Sequence, residues 1–291
     1  TVPGDALAGF LLMYYPGWGS VDLSPAVPCA AASLLMYCAG LLWNDYFDRH
    51  RDRLERPERP IPSGAIRPMA ALAAGVAAMV GGLAAAMLAG PAALAVAALL
   101  ALAVLGYNLG LKRLRGLGPL TMGLCRGLSL LLGAAAIGAE PLADAVSAMA
   151  RSGTAIVVSF FGMIAYVAAV TYLATKENNQ QRVGNSRELP GLAIIAWFVL
   201  LYNFAGLPNR LAPSIIAVIA AANWALYCVG SVRAPTTPQA IQRAVGDLVR
   251  DLLLIQAALA AVVFWPGVIV ALVLAGAWVV FGPLARRFPP S

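Results

Sequence analysis

An all-α bundle that crosses a membrane nine or ten times is the fold this 291-residue sequence predicts. Three observations carry that expectation. Hydrophobic residues make up 61% of the chain and charged residues 11%, where a soluble domain carries about 25% charged residues. Apolar runs near the length of about 20 residues that a bilayer core demands of a helix recur from end to end. The Lys and Arg residues gather in alternate loops between those runs. A soluble globular domain, a disordered chain and a disulfide scaffold are all excluded by this composition. The net charge of +7 is accounted for by membrane topology, and nucleic acid is not an expected partner.

The expected spans are residues 5–18, 25–46, 68–89, 91–110, 117–138, 153–175, 189–206, 211–231, 244–264 and 267–285, all within one intramembrane domain covering 1–291. Pro91 and Pro266 mark tight connections, where proline ends a helix without removing a needed donor. Gly75, Gly81, Gly82, Gly123, Gly127 and Gly133 recur on the span faces, as close packing of helices in lipid requires. Arg49, Arg51, Arg53, Arg56, Arg59 and Arg67 follow the second span, Lys112, Arg113 and Arg115 the fourth, Lys176, Arg182 and Arg187 the sixth, Arg233 and Arg243 the eighth. The opposite loops hold only Arg151 and Arg210. The excess of positive charge places the even-numbered loops on the cytoplasmic side, and Arg286 and Arg287 join them if the spans number ten. The apolar start reads as the way into the first span rather than as a cleavable signal. Cys29, Cys38, Cys125 and Cys228 lie scattered in apolar runs without metal-ligand spacing and read as small buried hydrophobes.

Against this background the segment NDYFDRHRD, Asn44 to Asp52, is the anomaly. Asp45 and Asp48 are three apart and Asp52 is four further on, so on a helix all three carboxylates share a face. Their mutual repulsion is relieved by a divalent cation, and hard oxygen ligands of this kind, with the Asn44 carbonyl, suit magnesium shared with substrate phosphates. The plainer alternative is a solvated loop in which the acids pair with Arg49, Arg51 and Arg53. His50, the only histidine, reads as a solvated residue. In RPERPIPSG, Arg56 to Gly64, two Arg-Pro steps predict an extended chain presenting an anion clamp. Tyr107, Asn108, Lys112 and Arg113 follow at the end of the fourth span. Arg126 lies well inside the fifth, a position that is costly unless it faces a polar cavity or a partner.

NDYFDRHRD followed by RPERPIPSG resembles the first aspartate-rich motif, NDxxDxxxD, and the trailing RPIPSG stretch of the UbiA superfamily of intramembrane prenyltransferases. Tyr107 to Arg113 and Gly123 to Gly127 are similar to that family's tyrosine-lysine loop and to the arginine-glycine turn of its following span. The resemblance covers most of the chain. It implies an all-α bundle with a lateral opening to lipid, in which two acidic motifs bind a prenyl diphosphate through Mg2+. The second motif departs from the family pattern. In TYLATKENNQQRVGNSRELP, Thr171 to Pro190, Glu177 is the only acid before Gly184, and Asn178, Asn179, Gln180 and Gln181 stand where carboxylates are usual. In this respect the chain resembles the EboC-like branch.

Carried onto this sequence, the resemblance implies that Asn44, Asp45, Asp48 and Asp52 hold magnesium, with Glu177 and Asn178 approaching from the second motif. Arg59, Tyr107, Asn108, Lys112, Arg126, Lys176 and Arg182 would bind the diphosphate, with Asp45, Asp48, Lys112 and Arg126 acting in catalysis. The tail would lie among Phe160, Phe161, Tyr166 and Trp197. The expected activity is Mg-dependent ionisation of a prenyl diphosphate and transfer to an acceptor, on the cytoplasmic side of the cell membrane. Two alternatives stay open: a terpene cyclase that needs no acceptor, and a non-catalytic lipid-handling or transport component that has kept the fold.

Overall fold

The computed structural model describes residues 1–13, 23–114, 116–137, 142–176, 187–205, 215–216, 219–220, 238–262 and 267–287. Among these the fold is helical throughout. Nine α-helices follow in order: α1 Val2–Met13, α2 Ala26–Glu55, α3 Pro68–Ala89, α4 Pro91–Leu109, α5 Leu117–Ala134, α6 Leu142–Ala174, α7 Leu189–Phe204, α8 Pro238–Ala260 and α9 Gly267–Arg287. Short 3-10 turns at Leu111–Arg113 and Ala135–Ile137 finish α4 and α5. Prolines open α3, α4 and α7 in the first turn, where no backbone donor is lost. Gly90, with φ of 123°, makes the sharp corner between α3 and α4.

Among the described residues, five segments are long and apolar enough to cross a membrane: α2, α3, α4, α5 and Ser152–Ala174 of α6. Helices α1 and α7, and Gly267–Val280 of α9, are apolar but shorter. The expected span at 244–264 differs most in character. Its helix, α8, carries Arg243, Asp247, Arg250 and Asp251, yet residues 251–262 are buried on every side. The expected span at 211–231 falls almost wholly outside the described residues. Helix α2 runs to Glu55, well past the expected end at residue 46, so the whole aspartate segment is helical.

Two apolar clusters form the core. In one, Trp43, Met36 and Met79 join α2, α3 and α4; in the other, Tyr166, Trp197 and Leu248 join α6, α7 and α8. Glycines let backbones meet, as the sequence anticipates. A Cβ at Gly75 would strike the Trp43 indole, one at Gly82 the Met36 side chain, and one at Gly123 the Ile164 backbone. Backbones also meet between α1 and α5, where a Cβ at Gly133 would overlap the Ala6 carbonyl and one at Gly9 the Leu130 carbonyl.

Because both obstacles at Gly133 and Gly9 are backbone, Gly133→Val has no flexible side chain to displace. We expect it to reach or exceed the top of the about 1–3 kcal/mol range of overpacking costs, read as thermal unfolding of the detergent-purified protein. Gly276→Ala, in open space on α9, should change stability by about 1 kcal/mol or less.

Candidate functional site

The last turns of α2 carry the acidic face. Asp45, Asp48 and Asp52 follow one another at three and four residues on a continuous helix, so they project together. Their partners come from elsewhere in the chain. Lys112, in the turn after α4, places Nζ 2.6 Å from Asp48 Oδ2 and donates also to Asn44 Oδ1 at 2.9 Å. Arg59 Nη1 lies 3.0 Å from Asp52 Oδ2 and 3.5 Å from Asp45 Oδ1. The local arginines stay out of this cluster: Arg51 pairs with Glu55, while Arg49 donates to the Tyr46 carbonyl and covers the Tyr46 ring. The acids are therefore met by Lys112, which arrives from a distant part of the chain, and by Arg59, which the turn after α2 brings back, rather than by Arg49 and Arg51 as the loop alternative has it. His50 is exposed.

Arg59 arrives by a route unlike the expected one. Arg56 to Gly64 is a run of tight turns rather than an extended clamp. Arg59 N donates to Arg56 O, Ser63 N to Arg59 O and Gly64 N to Ile61 O, with Gly64 at φ 82°. Proline fixes φ at a value that suits the first corner of a turn as well as an extended chain, and here the turn returns Arg59 to the α2 face.

Beneath the cluster lies a cavity of about 220 Å³ between α2, α4 and α5. Asn44, Tyr107 and Asn108 line it toward the aspartates, Met36 and Val104 line its middle, and Ser33, Arg126 and Ser129 lie toward α1. Its exposed lining surface is mostly apolar, with the polar side chains gathered toward its two ends. The aromatic residues expected around a tail do not line it. Tyr166 is buried with its hydroxyl donating to Leu248 O at 2.7 Å, Trp197 is buried against Phe198, and Phe161 is exposed. Tyr166 and Trp197 belong to the second cluster, and Phe160 packs against the first.

Arg126 also departs from expectation. Its Nε lies 2.9 Å from Asp5 Oδ2 and its Nη2 donates to Asp5 Oδ1 at 3.1 Å, with Asp5 fully buried and also bound by Gln256 Nε2 at 2.6 Å. An arginine already neutralised by a carboxylate has little charge left for a departing diphosphate. Sequence reasoning missed Asp5, although an acid at the start of an apolar run is the signal for it. Asn108 is not arranged as a diphosphate ligand either, since its Nδ2 donates to Val104 O and Gly40 O. Lys176 covers the Tyr172 ring at the end of α6 and forms no ion pair with the aspartates. Glu177, Asn178 and Arg182 lie outside the described residues.

The donor set on α2, three carboxylates and an amide oxygen, has the chemistry of a hard-cation site. As arranged, the carboxylates are turned toward Lys112 and Arg59, and among the described residues no three acidic, His or Cys side chains converge as ligands. Lys112 and Arg59 are the groups able to transfer their contacts to phosphate oxygens.

The UbiA prenyltransferase family model matches residues 6–250. Digeranylgeranylglyceryl phosphate synthase of Halobacterium salinarum (strain ATCC 29341 / DSM 671 / R1) is 40% identical over 150 residues, which are 50% of this chain and 54% of that protein. The synthase of the same name from Natronomonas pharaonis is 34% identical over 141 residues, 47% of this chain and 51% of the relative. The chain thus spans about half the length of the curated relatives it matches. A solved structure concerned with digeranylgeranylglyceryl phosphate synthase in membranes superposes with a TM-score of 0.61 at 17% identity, covering 89% of this chain and 91% of that one. The apo structure of a UbiA homologue from Aeropyrum pernix K1 gives 0.59 at 20% identity, covering 96% and 95%. At these identities the two structures speak for the fold.

The Asp5–Arg126 pair yields a stability prediction. Arg126→Leu strands a buried carboxylate and is expected to cost about 3–5 kcal/mol. The double variant Asp5→Leu with Arg126→Leu should recover most of that loss, as read from thermal unfolding in detergent.

Proposed function

Since the chain belongs to the UbiA prenyltransferase family, we propose that it ionises a prenyl diphosphate at the α2 aspartate face and transfers the prenyl group to an acceptor. The observation that carries this reading is the assembly of Asp45, Asp48, Asp52, Lys112 and Arg59 at the mouth of an apolar cavity. The relatives' name supports a glyceryl phosphate ether as acceptor class and a geranylgeranyl donor. The crowding of Lys and Arg into the loops after the second and fourth spans supports a cytoplasmic mouth in a multi-pass membrane protein.

Asn44, Asp45, Asp48 and Asp52 are the residues that would hold magnesium, with Glu177 and Asn178 as further candidates. When bound there, the ion would supply positive charge to the leaving group. The chain's own groups do the rest. Lys112, 11% exposed in its side chain, and Arg59 reach the same face from two other segments, so both can follow negative charge from the carboxylates onto the diphosphate as it departs. Tyr107 lines the inner side of that mouth, and the apolar walls formed by Met36, Leu100 and Val104 keep water from the allylic cation.

The test is a mass spectrum of products after incubating the purified protein with Mg2+, geranylgeranyl diphosphate and geranylgeranylglyceryl phosphate, with and without that acceptor. An ether product supports the proposal. Cyclic hydrocarbon made without acceptor, or binding without pyrophosphate release, would overturn it in favour of cyclase or lipid-handling roles. In the active protein, Asp48→Ala should lower turnover by about a hundredfold or more, because it removes an acid that no neighbouring group replaces.

A further inference from the structure

Asn108, in the last turn of α4, is 3% exposed and lines the cavity. Its Nδ2 donates to Val104 O at 3.0 Å and to Gly40 O at 3.4 Å. Both partners are carbonyls, which accept and cannot donate, so the orientation of the amide is fixed by them. Its Oδ1 is thereby left as a buried acceptor with no hydrogen-bond partner. An amide oxygen can accept from up to two donors, and a buried one left unpaired is costly. It repels phosphate oxygens and is completed by an O–H or N–H, since the carboxylates that would hold a cation stand on the α2 face beyond it.

Position narrows the choice. The contacts Gly40–Asn108 and Asn44–Lys112 both join residues 68 apart in sequence. Helices α2 and α4 therefore run parallel in matched register here. Four residues along a helix advance it by about 6 Å, so Asn108 sits one turn inward from the ammonium that meets the aspartates. A prenyl diphosphate seated at those aspartates with its tail in the cavity presents its first carbon at this level. Gly40 permits the close approach, since a Cβ there would already press on Val104 Cγ1 at 3.3 Å.

We propose that Asn108 is a positioning residue for a hydroxyl-bearing acceptor, whose O–H donates to Asn108 Oδ1 and whose oxygen lone pair is held toward the first carbon of the donor. The proposal rests on the transferase reading above and deepens it, favouring ether formation over attack by the donor's own double bonds. In the reaction the bond from that carbon to the diphosphate breaks first, its electron pair leaving on pyrophosphate, and the acceptor oxygen then forms the new C–O bond to the allylic cation. The amide is too weak a base to keep the hydroxyl proton, which ends on the released pyrophosphate.

Two probes that differ only in the ability to donate test this without turnover: geraniol and geranyl methyl ether, titrated by thermal shift against the purified protein. The wild type should bind geraniol about tenfold tighter, and Asn108→Ala should abolish the preference while binding the methyl ether as before. If Asn108→Ala does not fold, Asn108→Ser serves. It keeps a hydroxyl bond to the Val104 carbonyl but draws the acceptor oxygen back toward α4, with the same expected loss. Equal binding of the two probes by the wild type, or a preference that survives both variants, overturns the proposal. In the turnover assay Asn108→Ala should raise the acceptor KM about tenfold with the donor KM unchanged and divert product to prenyl alcohol by water capture. A shift in the donor KM instead overturns it. Absence of pyrophosphate release by the wild type counts against the transferase reading, and the probe preference then decides the hydroxyl site by itself.

Discussion

Lys112 binds Asn44 and Asp48 together, at 2.9 and 2.6 Å, and much of the site follows from that contact. A lysine just beyond the end of α4 can reach the end of α2 only if the two helices run parallel and finish at the same level. The register this imposes puts Asn108 against Gly40, opens the cavity between α2, α4 and α5, and keeps the acidic face from dispersing into solvent. Without a cation in that place, three carboxylates within two turns would repel one another and fray the end of α2, whose last turns extend beyond the apolar run.

What the sequence revealed, and what it hid, divides along physical lines. Helix α3 was legible to the residue, because Pro68 and Gly90 bracket an unbroken apolar run. The shared face of Asp45, Asp48 and Asp52 was legible because it depends only on helical period. The extension of α2 to Glu55 was not, since hydropathy ends where the charges begin and the partners of those charges come partly from other segments. The path of Arg59 back to the α2 carboxylates was not legible, because an Arg-Pro step suits an extended strand and a turn equally. The partners of Arg126 and Asn108 lie 121 and 68 residues away, and spacing along the chain holds no record of such distances. Both residues were accordingly assigned to the diphosphate, and both turn out to have their donors engaged by other groups.

The cavity has an uneven polarity as a result. At one end stand lysine, arginine and three aspartates, close to solvent and able to exchange partners. At the other, Asp5, Arg126 and Gln256 are closed on one another, and Ser33 shares a short contact with Ser129. The first arrangement is suited to a ligand whose charge changes during reaction. The second ties α1, α5 and α8 together across the bundle, and its charges are matched before any ligand arrives.

Helix α8 has a bearing on how the bundle is held together. Its buried half carries Asp251, which accepts from Trp278 of α9 at 2.9 Å, and Gln256, which donates to Asp5 of α1. Alone in hydrocarbon, such a segment would face a penalty of roughly 2.5–3.5 kcal/mol for the aspartate by itself. The Trp278 donor that meets the aspartate belongs to α9, and the acceptor that meets Gln256 belongs to α1. The place of α8 in the bundle therefore depends on polar contacts with α1 and α9 as well as on hydropathy.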